Sequence, residues 1–221
     1  MKYLIVILAI VILAIMVLMW ARKPKSFGYC SSDSTYKEPL VIDNIITQKE
    51  ADYILEKAKP KFSNSLILSG PDESIRKSET AWLGRKEPVV RDVIERLSQQ
   101  FKFDVDNVED LQVVRYVPGG YYNEHHDSCC EDSDHCHEFV KDSGQRVLTI
   151  LIYLNDEFEN GHTNFPNLGL NLKADKYGGI VFNSLELGGS RCHPKALHKG
   201  TPVTAGTKYV CNVWVREKKW R

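Results

Sequence analysis

The apolar residues follow three different patterns along the chain. Residues 3–20 form an unbroken run without a charged side chain, two later stretches repeat with helical spacing, and strand-like segments dominate after residue 105. An apolar run of about 18 residues measures roughly 27 Å as a helix, which matches the hydrocarbon thickness of a bilayer. The pattern therefore predicts one transmembrane helix at 1–21, followed by a Ser-, Lys- and Pro-rich tether at 22–38.

Two helices are predicted in the first part of the globular region. Thr47 and Glu50 have the spacing of a capping box, and over 48–58 the alanine, isoleucine and leucine residues share one face. A proline suits the first turn of a second helix over 88–101, whose valine, isoleucine and leucine residues also repeat at helical spacing. We therefore expect residues 39–105 to form an N-terminal helical support region of the catalytic domain.

The remaining residues, 106–219, have the composition of a β domain. Strands are predicted at 110–117, 146–154, 179–183 and 208–216, where β-branched and aromatic residues are bounded by glycine, proline or asparagine. Helices followed by strands indicate an α+β fold, in which the helices buttress one sheet of a β-sandwich or jelly roll.

The charge balance excludes one class of partner. The chain has 29 basic and 29 acidic residues, and 26% of its residues are charged, as in ordinary globular proteins. A nucleic-acid-binding protein would need a basic surplus to neutralise phosphate groups. We therefore expect no nucleic-acid partner.

The residues after the apolar run bear on membrane topology. They offer no small-x-small cleavage pattern, which favours an uncleaved signal anchor over a removed signal peptide. The basic cluster Arg22, Lys23 and Lys25 favours a cytoplasmic globular part by the positive-inside rule. Six cysteines favour the opposite side, an oxidising lumen in which some of them can pair. The residues alone leave the topology open.

One segment carries the side chains of a metal site. His125 and Asp127 lie two positions apart, so on an extended strand both project from the same side. Two imidazoles and one carboxylate on one face of an octahedral ion leave three positions open, as in non-haem Fe(II) oxygenases. His198 is a candidate third ligand. Ten positions later Lys208 opens a strand, and a half-buried ammonium there needs an anion such as the far carboxylate of 2-oxoglutarate.

With these residues in place, the sequence resembles the 2-oxoglutarate- and Fe(II)-dependent prolyl 4-hydroxylase family, in particular its short single-domain algal and viral forms. The resemblance covers about residues 39–217, nearly the whole globular part. The motifs that carry it are Arg76-Lys77-Ser78, Leu111 to Tyr116, Tyr122-x-x-His125-x-Asp127, Arg146 to Thr149 with Tyr153-Leu154, Thr163-x-Phe165-Pro166, His198 to Lys208, and Asn212-x-Trp214.

The resemblance implies a double-stranded β-helix, a jelly-roll or cupin-like core, with 106–219 as the Fe(II)/2-oxoglutarate dioxygenase domain. It implies that the iron ligands, and so the catalytic residues, are His125, Asp127 and His198. By the same resemblance, the residues that bind the co-substrate are Lys208, Tyr116, Thr163, Thr149 and Trp214, and the residues toward the peptide are Tyr122 and Arg146.

The implied reaction is hydroxylation of proline at C4 in a peptide or protein, coupled to O2 and to decarboxylation of 2-oxoglutarate to succinate and CO2. The implied cofactors are Fe(II), 2-oxoglutarate and L-ascorbate, and we expect a monomeric catalytic domain. Family habit and the cysteines favour a single-pass protein of the endoplasmic reticulum membrane with a lumenal catalytic domain. Two alternatives stay open: hydroxylation of another protein side chain, and a catalytically inactive membrane-tethered binding module.

Two residues near the motifs call for separate predictions. Asn160 stands where the family has the first glycine of a Gly-Gly turn, and asparagine tolerates left-handed backbone better than most residues, so we expect the turn to survive. His126 lies between two proposed iron ligands, and strand alternation predicts that its side chain points away from the metal, as that of a surface or groove residue.

The cysteine-rich stretch 129–137 has several open interpretations. Its cysteines and histidines either bind a structural Zn2+, form a disulfide to Cys136, or include free thiols. Cys192 and Cys211 are likewise bridge partners or core residues. The charge-rich segment 128–145 is expected to be a flexible loop that orders when the peptide binds.

Overall fold

The structure, a computed structural model, describes residues 35–67 and 72–220. The expected membrane anchor at 1–21 and most of the 22–38 tether lie outside these ranges. Among the helices of the described ranges, none is both long and apolar enough to cross a bilayer. The end of the expected tether already belongs to the folded unit, because Tyr36 is buried and its hydroxyl donates to the Asn183 carbonyl over 3.1 Å.

Three α-helices occur in the described residues: α1 (Gln48–Ala58), α2 (Pro88–Phe101) and α3 (Asp134–Val140). The first two coincide with the stretches that the apolar spacing predicts. Thr47 and Glu50 cap α1 reciprocally, which confirms the capping box. α3 is not predicted, because its 7 residues are too few to show a helical period.

The strands of the described residues form two main sheets and one small pair. In chain order they are β1 (Leu40–Ile42), β2 (Ser63–Asn64), β3 (Arg76–Lys77), β4 (Glu79–Leu83), β5 (Leu111–Tyr116), β6 (Tyr121–His125), β7 (Arg146–Tyr153), β8 (Phe158–Asn160), β9 (Thr163–Phe165), β10 (Leu170–Leu172), β11 (Gly179–Asn183), β12 (His198–Gly200), β13 (Val203–Gly206) and β14 (Lys208–Arg216). The four predicted strands correspond to β5, β7, β11 and β14.

All strand pairs in these sheets are antiparallel. The seven-stranded major sheet has the order β1-β11-β7-β14-β5-β4-β2, the five-stranded minor sheet has the order β10-β9-β12-β6-β3, and β13 pairs with β8. The candidate site draws its residues from both main sheets, so the way in which the two sheets pack decides its shape.

The major sheet presents alternate residues to two different cores, as the strand period of two requires. Val113 packs with Ile54 of α1 and Leu97 of α2 in a core under the helices. Its neighbour Val114 packs with Phe165 of the minor sheet in a second core. The helices therefore cover one face of the major sheet and the minor sheet covers the other, which is the buttressed jelly roll that the element order predicts.

Residues 39–105 are more than the expected helical support region. They contribute β1 to β4, and β1 and β4 extend the major sheet beside β11 and β5. β2 and β3 have 2 residues each, too few for a sequence pattern to show alternation. The described residues of the expected support region and of the expected dioxygenase domain belong to one compact unit.

Two disulfides decide between the interpretations of the cysteines. Cys129 pairs with Cys136, Cys130 pairs with Cys192, and Cys211 is a buried free thiol. A zinc ion needs thiolate ligands, and the paired sulfur atoms cannot supply them. The zinc interpretation of this stretch is therefore wrong, and the disulfide interpretation is confirmed for Cys129.

Candidate functional site

Strand pairing brings the three candidate metal ligands together. His125 ends β6, and His198 begins the neighbouring strand β12, directly opposite His125 in the antiparallel register. Asp127 follows β6 by two residues. Candidate ligand atoms of the three residues all lie within 4.8 Å of one another. Asp127 Oδ1 lies 3.8 Å from His125 Nε2, and its Oδ2 lies 3.9 Å from His198 Nε2.

Backbone carbonyl groups orient both imidazoles. His125 Nδ1 lies 2.7 Å from the carbonyl oxygen of Asn123, and His198 Nδ1 lies 3.0 Å from that of Ala196. A carbonyl oxygen only accepts, so Nδ1 carries the proton in each ring and Nε2 presents its lone pair to Asp127. Two lone pairs and a carboxylate repel one another at these distances unless a cation lies among them. The donor set therefore fits a divalent metal ion.

The electrostatic surroundings also suit a metal. Burial raises the pKa of Asp127, but the two histidines, Arg146 and the Thr149 hydroxyl outweigh burial and hold this pKa below its usual value. Burial, reinforced by His198, lowers the pKa of His125 well below its usual value. Both shifts favour the forms that coordinate a metal, an ionised carboxylate and a neutral imidazole.

A cavity of about 240 Å³ opens beside the three ligands. The predicted site residues that line it with His125, Asp127 and His198 are Lys208, Tyr116, Thr163, Trp214, Tyr122 and Arg146. Thr149 is not among the lining residues. It is buried behind Asp127, and its hydroxyl donates to Asp127 Oδ2 over 2.6 Å. Its position therefore suits orienting a ligand rather than contacting the co-substrate as expected.

Lys208 is a buried cation without an acidic partner. Only 3% of the residue is exposed, and its ammonium donates to the Gly161 carbonyl over 2.6 Å. The ring centroids of Tyr153 and Tyr116 lie 4.9 and 5.5 Å from Nζ. Among the described residues, no carboxylate pairs with this ammonium. Burial, assisted by repulsion from Lys173, lowers the pKa of Lys208 to about 7. Such a group provides a binding site for an anion.

The turn that supplies this carbonyl keeps its left-handed backbone. Asn160 has φ 57° and Gly161 has φ 61°, which confirms that asparagine is accepted at the first position. A Cβ atom at Gly161 would lie 3.2 Å from Lys208 Cδ, so the glycine also makes room for the lysine stem. The turn therefore shapes the anion site.

The other end of the cavity is built around a buried ion cluster that the sequence does not reveal. Two nitrogen atoms of Arg146 donate to Glu109 over 2.6 and 2.8 Å, and Arg216 donates to the same carboxylate over 2.6 Å. Arg146 Cζ lies 3.4 Å from the ring centroid of Trp214. Glu109 precedes β5 by two residues, and no motif marks it. The pairing of β14 with β7 sets Arg216 opposite Arg146, and the bridge between Val108 and Val215 brings Glu109 to both arginines.

Two further rings line the cavity beside the ligands. Tyr122, expected toward the peptide, stacks on His125 with ring centroids 3.5 Å apart. His126 lines the same cavity, but it is not one of the residues whose candidate ligand atoms cluster. This position agrees with the expected groove residue outside the metal ligands.

Three comparisons place this geometry in a family. The family model of the 2OG-Fe(II) oxygenase superfamily matches residues 111–216. A putative prolyl 4-hydroxylase of Acanthamoeba polyphaga mimivirus is 46% identical over 194 residues, which are 88% of this chain and 80% of the relative. Prolyl 4-hydroxylase 1 of Arabidopsis thaliana is 28% identical over 200 residues, 81% of this chain and 69% of the relative.

A solved structure agrees with these relatives. The crystal structure of the viral collagen prolyl hydroxylase of Paramecium bursaria Chlorella virus-1, in its 2-oxoglutarate complex, has 30% sequence identity and a TM-score of 0.64. The match covers 81% of this chain and 96% of that one. Together with the metal-ligand geometry, these similarities show that the chain belongs to the prolyl 4-hydroxylase family of 2-oxoglutarate- and Fe(II)-dependent dioxygenases.

Proposed function

We propose that this enzyme hydroxylates proline residues of a peptide or protein substrate at C4, with O2 and 2-oxoglutarate as co-substrates and succinate and CO2 as products. One observation carries the proposal. His125, Asp127 and His198 share a single cavity with Lys208, a buried ammonium without an acidic partner among the described residues. A metal site and an anion site in one small cavity suit a chelating dicarboxylate.

His125 Nε2, His198 Nε2 and an oxygen of Asp127 would hold the iron. When bound, Fe(II) activates O2 and, with the keto acid, supplies the oxidant that attacks the C–H bond. The chain itself sets the protonation and direction of the ligands, because the Asn123 and Ala196 carbonyls fix the two imidazoles. The Thr149 hydroxyl holds the carboxylate in place.

Lys208 would bind the far carboxylate of 2-oxoglutarate. Its surroundings are aromatic and dry, so a charge pair formed there is stronger than one in water. The ammonium already donates to the Gly161 carbonyl, and its other protons stay available to an anion. Tyr116, Thr163 and Trp214 line the same cavity and would enclose the co-substrate.

The other end of the cavity would position the peptide. Tyr122 presents an aromatic ring over His125, and Arg146 is held rigid by Glu109 and Trp214. The names of the mimiviral, plant and viral relatives all specify prolyl hydroxylation, which favours proline as the target residue. Relatives among the animal α-subunits are longer, and this chain spans 38% of the human one. The proposal includes a monomeric catalytic domain.

The proposed location is the membrane of the endoplasmic reticulum, with residues 1–21 as a single-pass anchor and a lumenal catalytic domain. The apolar run supports the anchor, and two disulfides support an oxidising compartment. L-Ascorbate is the proposed reductant that keeps the iron in its ferrous form. Protease protection of microsomes that carry the full chain tests the topology, because a lumenal domain survives added protease until detergent is present.

The reaction is tested with the full-length chain in detergent, supplied with Fe(II), 2-oxoglutarate, ascorbate and a panel of proline-rich and collagen-like peptides. Mass spectrometry locates any added oxygen, and His198→Ala is the control. We expect a gain of one oxygen atom on proline that is absent in the control. Succinate formed without peptide oxidation would contradict proline as the target. No succinate from iron-loaded protein would favour the inactive binding module.

A further inference from the structure

Phe139 lines the active-site cavity from α3, outside the proposed iron and co-substrate groups. The ring is half-buried and shares the cavity with Trp82 of β4 and Trp214 of β14. Trp82 is 46% exposed, and its ring centroid lies 6.2 Å from that of Trp214. Trp82 thus presents an apolar ring to solvent at the cavity that Phe139 and Trp214 also line.

Guanidinium groups fix the position of Phe139. Arg216 Cζ lies 3.9 Å from its ring centroid and Arg146 Cζ lies 5.2 Å from it, while Arg146 also stacks on Trp214. Arg216 further donates to the Phe139 carbonyl over 3.2 Å. Planar cations stacked on aromatic faces order both groups. The ring is therefore held at a defined place relative to Trp214.

A covalent link fixes the helix that carries Phe139. The disulfide between Cys129 and Cys136 joins the start of segment 128–145 to α3. The Gln145 amide donates to the Cys129 carbonyl over 2.6 Å and accepts from the Cys129 amide over 2.9 Å, which ties the end of the segment to its start. The disulfide and these hydrogen bonds thus join the start of the segment to α3 and to its end, and its ordering on peptide binding stays a prediction.

We propose that Phe139 is a specificity-determining residue that contacts a substrate residue flanking the target proline, and that the Cys129–Cys136 disulfide holds it there. This inference rests on the proposed prolyl hydroxylation. A fixed aromatic face favours a rigid apolar ring, because such a ring loses little conformational entropy on contact. Pro-rich segments present these rings in an extended helix that docks on aromatic grooves. The substrate class is therefore a peptide with a second proline beside the hydroxylated one.

The test compares Phe139→Ala and Phe139→Leu with Glu138→Ala in the full-length enzyme. Glu138 is the preceding residue of the same helix, is exposed and pairs with Lys141, so it is a matched control. Two peptides are used, with proline or alanine flanking the target proline. We expect Phe139→Ala to raise KM for the proline-flanked peptide about tenfold and to leave kcat and the alanine-flanked KM unchanged. Leucine, which keeps bulk without a flat face, should fall between.

A second variant tests the disulfide with Phe139 intact. Replacing Cys129 and Cys136 together by alanine should raise the proline-flanked KM in the same direction by a smaller factor, with the KM for 2-oxoglutarate unchanged. Equal peptide preference in the parent enzyme and both Phe139 variants would overturn this inference and leave prolyl hydroxylation intact. A parent enzyme that oxidises no proline in any peptide would overturn both.

Discussion

The two ends of the active-site cavity are built by different means. At the co-substrate end, Lys208 and Tyr116 are cross-strand partners in the major sheet, so backbone hydrogen bonds set their positions. At the peptide end, Phe139 comes from a short helix held by a disulfide and by two arginines. The proposed co-substrate site is thus formed by a regular sheet. The proposed peptide site is formed by side-chain contacts, which can change without disturbing the sheet.

The largest expected effect is a loss of 2-oxoglutarate binding at the co-substrate end, caused by substitution of Lys208. Replacing Lys208 by methionine removes the charge but keeps the stem, so the buried anion loses its partner. We expect the KM for 2-oxoglutarate to rise at least about 1000-fold. Binding of a proline-rich peptide, followed by fluorescence, should change little. Lys173→Met is the control, since Lys173 lies near Lys208 but outside the lining of the cavity. Equal effects of the two substitutions would contradict the role of Lys208.

Glu109→Gln should destabilise the peptide end of the cavity, because it removes the carboxylate of the buried ion cluster. Arg146 and Arg216 would remain largely buried without a carboxylate, and we expect the free energy of unfolding to fall by about 3 kcal/mol in urea titrations. Glu79→Gln is the matched control, because the Glu79–Arg115 pair is partly exposed and should contribute less than about 1 kcal/mol. Similar losses of unfolding free energy in both variants would contradict a larger contribution from the buried cluster.

Thr149→Val tests the region between the two ends. The change removes the hydroxyl that donates to Asp127 Oδ2 and keeps the shape of the side chain. We expect a 10- to 100-fold weaker affinity for Fe(II) or Mn2+, as is typical when a group behind a metal ligand is lost. Thr149→Ser should retain most of the affinity. Isothermal titration with Mn2+ distinguishes this result from a direct co-substrate contact, which would change the 2-oxoglutarate affinity alone.

The smallest effect is a pH dependence that only the co-substrate end should show. In the free enzyme the pKa of Lys208 is lowered to about 7, whereas the bound dicarboxylate needs the charged ammonium. Below pH 7 Lys208 is already protonated in the free enzyme, so its titration does not change the affinity for 2-oxoglutarate. Above pH 7 binding takes up a proton, so the Kd for 2-oxoglutarate should rise by up to about tenfold per pH unit.

Calorimetry of the Mn2+-loaded enzyme in buffers of different ionisation enthalpy measures this uptake. We expect about one proton at pH 8.5 and almost none at pH 6. Lys208→Arg is the control, because a guanidinium stays charged throughout this range. Proton uptake that persists in this variant would assign the effect to another group.

Local sequence rules predict the features of this molecule that depend on neighbouring residues. The spacing of Thr47 and Glu50 marks the start of α1, and the two-residue spacing of His125 and Asp127 puts both at one site. His198 lies far along the chain, and no local spacing connects it to the other two ligands. Strand pairing, which no local pattern encodes, makes that connection in the structure.

The remaining features depend on tertiary contacts. Thr149 is expected beside the co-substrate, yet in the structure its hydroxyl donates to Asp127 Oδ2. Glu109 and Phe139 carry no motif, because one is an acid before a strand and the other an apolar residue in a charged segment. Their importance arises only when β14, β7 and α3 meet around two arginines.

The disulfide between Cys130 and Cys192 has a consequence for the chain before it folds. Cys130 follows Asp127 by three residues, and Cys192 precedes His198 by six. Once the bridge has formed, the shortest covalent path from Asp127 to His198 runs through the disulfide. It bypasses the residues between Cys130 and Cys192. Shortening a loop in this way reduces the entropy of the unfolded ensemble. In an oxidised but unfolded chain, the bridge therefore leaves His198 only a short covalent path away from His125 and Asp127.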